Sequence, residues 1–385
     1  MRERAFKLLF VTHNYPPMTG GISSYAWELT RGLGELGIDV CVLTNAPPYT
    51  KSIENVHIVN FHESPFLGKV RRIKLILPLQ RMLKTWQPDL VFLASLHPYG
   101  LFVREIAHLH QVPYVVGTHG LDSWRIVQPG RISRFERWAG KKALEGAAAV
   151  FSVSRFIAAQ VASISANIKA LHIIPNGVDC TLFKPGPSER DYWSIKTGVD
   201  LNDRFVICSV AALHPYKGHE QVFQALASLI LRKPELIYLI AGAGPELAKL
   251  QKMVNELKLD EHVRFLGSQD MTIIPNLLRS SDLFILNCLP IPGEGFGIAF
   301  LEANACGLPV IAGNSGGVPD TVKDGETGML INPLDPAAIA DCIERLMEDA
   351  NLRRHLTENG LRWAQEHDWS RIAQRYGEII EKLIV

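Results

Sequence analysis

A chain of 385 residues, 47% hydrophobic and 21% charged, has the composition of an ordinary soluble protein, long for one core and comfortable for two domains of under about 200 residues. No run approaches about 18 consecutive apolar residues, so no spanning helix is expected, and the basic start MRERAFKLLFVTHNYPP has too short an apolar run for a signal peptide. The net charge of +1 hides an asymmetry: residues 1–185 carry 21 Lys and Arg against 12 Asp and Glu, and residues 186–385 carry 19 against 27. Six cysteines, at 41, 180, 208, 288, 306 and 342, form no C-x-x-C pair and read as reduced packing residues of a cytosolic protein.

Phe6–Thr12 reads as a buried strand, followed by the loop HNYPPMTGGISSY and a helix to about Leu36. Gly20 and Gly21 at that junction let the backbone approach a ligand with no Cβ in the way, or else only shape the turn. Strands at Asp39–Thr44, Val56–Phe61 and Leu90–Ala94 alternate with helical stretches, the pattern of a parallel sheet. No G-x-G-x-x-G follows the first strand, which argues against a dehydrogenase. The segment Phe66–Lys84 has six basic residues, Lys69, Arg71, Arg72, Lys74, Arg81 and Lys84, and no acidic ones among its leucines and isoleucines. Such a helix, kinked or restarted at Pro78, can lie on an anionic lipid surface at ~1 kcal/mol per basic residue, or simply present a solvated face.

Pro113–Thr118 reads as the next strand, and His119 with Gly120 stands at its C-terminal end, where ligand sites of parallel sheets lie. Gly120–Lys142, with Trp124, Arg125, Arg131, Arg134 and Arg137, fits an acceptor or phosphate-headgroup wall and equally a solvated charged helix. Ala147–Val153 is a strand, with Ser154 an N-cap for the helix beginning at Arg155. Pro and Gly after Phe183 mark a linker. The second half opens with Phe205–Val210 and the helix Gln221–Leu231; Lys217-Gly218 before that helix is a natural phosphate site, a cation beside helix amides. Ile237–Ala241 leads to Gly242, Gly244 and Pro245, Val263–Gly267 follows, and Asp282–Leu286 enters the stretch PGEGFGIAFLEANACGLPVIAGNSGGVP, Pro292–Pro319. Helical periods cover Ala337–Glu348, Leu352–Glu366 and Ile372–Leu383.

In that stretch Glu294 lies in a Pro/Gly loop and Glu302 in the second turn of a helix starting near Gly297, with seven residues between them. Eight steps of ~1.5 Å give an upper separation of roughly 12 Å, about the span of a nucleoside diphospho-sugar from ribose to hexose. The reading is a sugar hydroxyl on Glu294, a diphosphate at the amides of Phe296, Gly297 and Ile298, and ribose hydroxyls on Glu302.

E-G-F-G-I-A-F-L-E-A-N-A-C-G-L-P-V-I-A followed by S-G-G-V-P resembles the E-x7-E motif of the retaining GT-B glycosyltransferases of the fourth sequence family, and among them most resembles the phosphatidylinositol mannosyltransferases. The resemblance covers nearly the whole chain, I-P-N-G-V-D with F-x-P matching the family's end of the first domain. It implies an α/β fold of two Rossmann-like parallel-sheet domains facing a cleft: residues 1–185 binding the acceptor, 186–366 binding the nucleotide sugar, and a last helix, 367–385, packing back on the first domain. It places Gly20 and Gly21 toward donor phosphates and acceptor, His119 at the donor sugar, Lys217 on the diphosphate, and the loops at Gly244 and Gly267 beside the nucleotide. One departure stands out: an arginine is usual five residues before the lysine, and this chain has Ala212.

The implied chemistry is same-face displacement with the leaving phosphate taking the acceptor proton, Glu294 orienting the sugar, His119 supporting developing charge and Lys217 the departing diphosphate. With no Asp-x-Asp and no metal-spaced His/Cys cluster, metal independence and no cofactor are expected. GDP-mannose is the favoured donor, with UDP-glucose and UDP-N-acetylglucosamine as alternatives. The acceptor is lipid-linked or a glycan, the location cytoplasmic and peripheral on the inner membrane face, and no nucleic-acid partner is expected. A sugar epimerase or phosphorylase, a non-catalytic nucleotide-sugar sensor made plausible by Ala212, and a protein scaffold are the competing classes.

Overall fold

Near-continuous apolar runs of four to six residues, such as Leu8–Val11 and Leu90–Leu93, suit strands covered on both faces, and these strands are almost wholly buried. The structure, a computed structural model, describes residues 6–18, 20–49, 53–61, 74–120, 126, 133–291 and 293–384. It divides into two units, one of Met1–Asn176 with Trp369–Val385 and one of Gly177–Asp368.

In the first unit β1 (Lys7–Thr12), β2 (Asp39–Thr44), β3 (Val56–Asn60), β4 (Leu90–Leu93), β5 (Tyr114–Thr118), β6 (Ala149–Ser152) and β7 (Leu171–Ile173) form one sheet, order β3-β2-β1-β4-β5-β6-β7. Every pairing is parallel, with Leu9 against Cys41 on one side of β1 and Phe10 against Phe92 on the other. Its helices are α1 (Gly21–Glu35), α2 (Ile76–Thr85), α3 (Gly100–Leu109), α4 (Arg134–Gly146) and α5 (Arg155–Ile164), and Ser154 does cap the last, accepting from the Ile157 amide at 3.2 Å.

The second unit holds α6 (Arg190–Thr197), β8 (Phe205–Val210), α7 (His219–Leu229), β9 (Leu236–Ala241), α8 (Leu247–Glu256), β10 (Val263–Gly267), α9 (Ile274–Arg279), β11 (Leu283–Leu286), α10 (Ile298–Ala305), β12 (Val310–Gly313), β13 (Met329–Ile331), α11 (Pro336–Glu348) and α12 (Ala350–Glu366). Its sheet is again all parallel, order β10-β9-β8-β11-β12-β13. In both sheets the strand order reverses beside the first strand, between β1 and β4 and between β8 and β11. Loops leaving the C-terminal ends of those strands diverge to opposite faces and open a crevice, the usual place for a ligand.

The last helix, α13 (Trp369–Lys382), belongs to the first unit because its buried stripe Trp369, Ile372, Ala373, Tyr376 and Ile380 recurs at helical spacing. That stripe packs on α1: a Cβ on Gly32 would stand 2.5 Å from the Ala373 Cβ, and Tyr25 meets Trp369 at 6.0 Å. Each large side chain so buried contributes about 2 kcal/mol. The units part at Asn176/Gly177 rather than at 185/186, because the segment after Asn176 is bonded into the second unit. The Val178 amide donates to the His367 carbonyl at 2.9 Å and the Cys180 amide to Asp368.

Three expectations shift. The helix after Lys217 begins at His219 because Gly218, in left-handed conformation, ends a short turn over Pro215–Lys217 and starts the helix. The helix expected near Gly297 starts at Ile298, Gly297 being its left-handed cap. Pro78 does not break its helix: it is the third residue of α2, where a missing N–H costs no bond. Of the basic segment Phe66–Lys84, residues 66–73 lie outside the described residues, as do Trp124, Arg125 and Arg131; in α2, Leu79 and Leu83 are buried and Leu77 is 75% exposed. Among the described residues no helix is long and apolar enough to cross a membrane.

Candidate active site

Lys217 and Glu294 are 77 residues apart in sequence and meet at the β8/β11 reversal point of the second sheet, where Lys217 Nζ donates to Glu294 Oε2. Both are largely buried, with 13% and 18% of their side chains exposed. Burial opposes charge on each, but their mutual attraction prevails. Lys217 is held well above the ordinary lysine range, and Glu294 falls below the ordinary carboxylate value, helped by the Cys288 thiol and the Gly295 amide. The site therefore contains a buried ion pair of no net charge.

The loop carrying Glu294 is clamped from beneath. The Gly317 amide donates to the Glu294 carbonyl at 2.8 Å, and Ser315 Oγ donates to the Cys288 carbonyl at 2.7 Å, so the loops after β11 and β12 are tied together. Gly316 has a φ of 57° and a Cβ on it would stand 2.4 Å from the Glu294 carbonyl oxygen. Gly316→Ala is therefore expected to displace the Glu294 backbone, lowering stability by about 2 kcal/mol and turnover far more than donor affinity. Chemical unfolding together with steady-state kinetics measures both.

Glu294 and Glu302 flank the start of α10. That start has no side-chain cap, and among the described residues the N–H groups of Phe296, Gly297 and Ile298 have no partner within the chain. Thr321 Oγ1 donates to the Phe296 carbonyl, and the buried Phe296 ring anchors the turn, so the backbone that carries these donors is fixed. Free amides at the positive end of a helix suit a phosphate. The Glu302 carboxylate makes no hydrogen bond or ion pair among the described residues, and burial alone pushes its pKa up to about 7.

The glycines differ in kind. Gly244 has a packing reason, since a Cβ there would be 2.4 Å from the Leu213 carbonyl oxygen, whereas Gly267, at the end of β10, faces open space. Ala212 and His214 are exposed in the β8 loop, and His214 stacks on Tyr216 with ring centres 5.7 Å apart. Sequence reasoning missed Tyr216, whose ring lies 5.2 Å from Lys217 Nζ, and Cys288, whose thiol faces Glu294. The available signal for Cys288 was its place just beyond β11, the same place that made His119 notable beyond β5.

In the first unit His119 Nε2 lies 2.8 Å from the Ala94 carbonyl oxygen and its ring meets Tyr25 edge-on at 4.3 Å. Tyr25 OH in turn donates to Tyr376 OH at 3.2 Å, so α1 and α13 fix the imidazole together. Gly20 caps α1 with a φ of 123°, and neither Gly20 nor Gly21 has any atom within 4 Å of where a Cβ would stand. Among the described residues packing accounts for neither glycine; Gly20 has a conformational reason and Gly21 has none.

Two family models match: Glycosyl transferases group 1 over residues 192–363 and Glycosyltransferase Family 4 over residues 19–182. Across 390 residues the chain is 30% identical to the GDP-mannose-dependent alpha-(1-6)-phosphatidylinositol monomannoside mannosyltransferase of Mycolicibacterium smegmatis, covering 97% of this chain and 98% of that one. This chain belongs to the group 1 glycosyltransferases. The Mycobacterium tuberculosis protein of the same name is 26% identical over 97% of this chain and 98% of its own. The glycosyltransferase also has the GT-B fold: Anabaena HepE, solved in complex with UDP and glucose, superposes with a TM-score of 0.80 at 22% identity, over 98% of this chain and 99% of that one. Sugar transfer from a nucleotide sugar is its activity class.

Proposed function

We propose that this glycosyltransferase is a metal-independent, retaining mannosyltransferase that takes mannose from GDP-mannose to an inositol-lipid acceptor. The observation that carries the reading is the buried Lys217–Glu294 pair, set at the sheet reversal beside the uncapped start of α10 and the unpartnered Glu302. The names of the relatives favour mannose and an inositol lipid. UDP-sugars stand second, HepE having been solved with UDP.

In this reading the second unit binds the donor, with ribose hydroxyls on Glu302, the diphosphate at the amides of Phe296, Gly297 and Ile298 with the Gly267 loop beside the nucleotide, and the sugar hydroxyls on Glu294. Lys217 moves its charge from Glu294 to the phosphate, and Glu294 is thereby freed to accept from the sugar. The anomeric carbon–phosphate oxygen bond breaks as the acceptor oxygen attacks from the same face, and the acceptor proton passes to the leaving phosphate oxygen. Lys217 and the helix amides stabilise the charge that develops there. A two-step route would need a carboxylate under the anomeric carbon, and in this reading Glu294 is instead on the sugar hydroxyls. In the first unit, Gly20, Gly21 and His119 are the residues proposed for acceptor and sugar recognition. Its surplus of basic residues, Phe66–Lys84 included, extends the reading to the anionic inner face of the membrane.

The test is thermal stability against GDP-mannose, UDP-glucose and UDP-N-acetylglucosamine in the presence of a chelator, followed by transfer of labelled sugar to inositol lipid. A ligand at 100 times its Kd adds about 2.7 kcal/mol to the folded state. GDP-mannose is expected to raise the midpoint and to label the lipid with the chelator present. A rise with UDP-sugars alone overturns the mannose assignment, and a need for added metal overturns the proposed charge stabilisation.

A further inference from the structure

Glu294 has a second side-chain donor that the reaction scheme above does not use. Cys288 is fully buried two residues past β11, and its thiol donates to Glu294 Oε2 at 3.7 Å, the same oxygen that takes Lys217. The residue is fixed on three sides. Its carbonyl accepts from Ser315 Oγ at 2.7 Å, its amide donates to Leu286 at 3.1 Å, and a Cβ on Gly313 would stand 2.6 Å from its carbonyl oxygen. Burial pushes the thiol pKa well up, so the sulfur keeps its proton and remains a donor.

From this geometry we propose that Cys288 is a positioning residue for Glu294: its S–H holds Oε2 when Lys217 turns to the donor diphosphate, and leaves Oε1 directed at the sugar hydroxyl. The inference rests on the donor placement proposed above. Without donor, two groups hold one carboxylate oxygen, and Lys217 still holds it when the thiol is removed. With donor bound, Lys217 serves the phosphate and the thiol is the side chain that remains. Its loss is therefore felt in the loaded enzyme more than in the empty one. A neutral donor that stays put suits this task better than a second cation, which would itself compete for the phosphate.

The experiment compares Cys288→Ala and Cys288→Ser in the full chain, with Tm to confirm folding. Cys288→Ala is expected to lower kcat about tenfold while leaving the Kd for GDP unchanged, the size expected for one hydrogen bond to a charged group. It should also move the acid limb of kcat, which reports the loaded enzyme, to higher pH, because a donor to a carboxylate favours its ionised form. Cys288→Ser, whose hydroxyl donates from the same place, should restore both. A residue that merely fills space would leave the pH profile where it was, and Ala and Ser would behave alike; that result overturns the proposal. The contact is read independently of turnover in the S–H stretching band lost in Cys288→Ala: in Glu294→Ala that band should move to higher frequency. An unmoved band sinks the contact itself. A band that moves in a protein binding no sugar nucleotide retains the contact and removes the donor placement on which its role depends.

Discussion

Lys217→Ala is expected to cost about 3 kcal/mol of stability at neutral pH and to reduce turnover by roughly 10²–10³-fold, because it leaves a buried carboxylate without its counter-charge while removing the cation proposed for the diphosphate. The low end of the range for broken buried pairs applies, since 13% of Lys217 and 18% of Glu294 remain exposed. The pH dependence has a definite sign. Glu294 is depressed below 4.5, so its contribution is present above that value and is lost as pH falls through its lowered folded pKa. Lys217 is raised above 10.5, so its contribution is present below that value and is lost only as pH rises through its raised folded pKa. The pair thus stabilises the protein across the whole range between. In Lys217→Ala, Glu294 keeps its burial and loses its partner, so its pKa rises and it folds best protonated. Urea unfolding should show the deficit largest at pH 8 and shrinking toward pH 4.5. Lys217→Met combined with Glu294→Gln should recover most of the stability and none of the activity, separating the cost of the orphaned charge from the chemistry.

What the sequence made legible was local. Strand alternation, the Ser154 cap and the carboxylates flanking Gly297 follow from period and residue type, and all of these lie where expected within a residue or two. The direct union of Lys217 with Glu294 is not local: it depends on β8 and β11 being neighbours with both loops leaving on the same side. The role of Cys288 was hidden for the same reason, since a lone cysteine after an apolar run looks like core. Gly244 carries a reason the motif did not show: the loop pattern suggests a ligand, and the Leu213 carbonyl oxygen 2.4 Å from where its Cβ would stand supplies a packing reason as well. The short strands β7, β12 and β13, of three or four residues, carry too little pattern to be separated from loops. The domain edge at Asn176 was displaced because a proline- and glycine-rich segment looks like a linker whether or not its amides are paired elsewhere.

Glu302→Gln is expected to stabilise the empty protein and to disable donor binding, an inverse pairing that a merely structural carboxylate would not give. The carboxyl has an ordinary value of 4.5 and is pushed by burial to about 7, so the folded state holds a proton that the unfolded state has released. A carboxyl raised in this way loses stability as pH climbs from 4.5 through 7 and nothing further above it. At about 1.4 kcal/mol per unit, the penalty above pH 7 reaches about 3 kcal/mol, and glutamine, which cannot ionise, removes it. The variant's advantage in unfolding free energy should therefore be near zero at pH 4.5 and approach that figure at pH 8. Donor binding runs the other way: two ribose hydroxyls donating to a carboxylate make charge-assisted hydrogen bonds, and their loss weakens GDP-mannose binding about 100-fold. Because the ligand selects the ionised form, the native protein should release a proton on binding below pH 7, with affinity rising from pH 5 and levelling above 7. Titration calorimetry in buffers of different ionisation enthalpy reads that proton directly. Glu302→Gln should release none and show a flat profile. A native protein whose donor affinity ignores pH between 5 and 8 would take Glu302 off the ribose, while leaving the Lys217–Glu294 pair to be judged by its own unfolding curves.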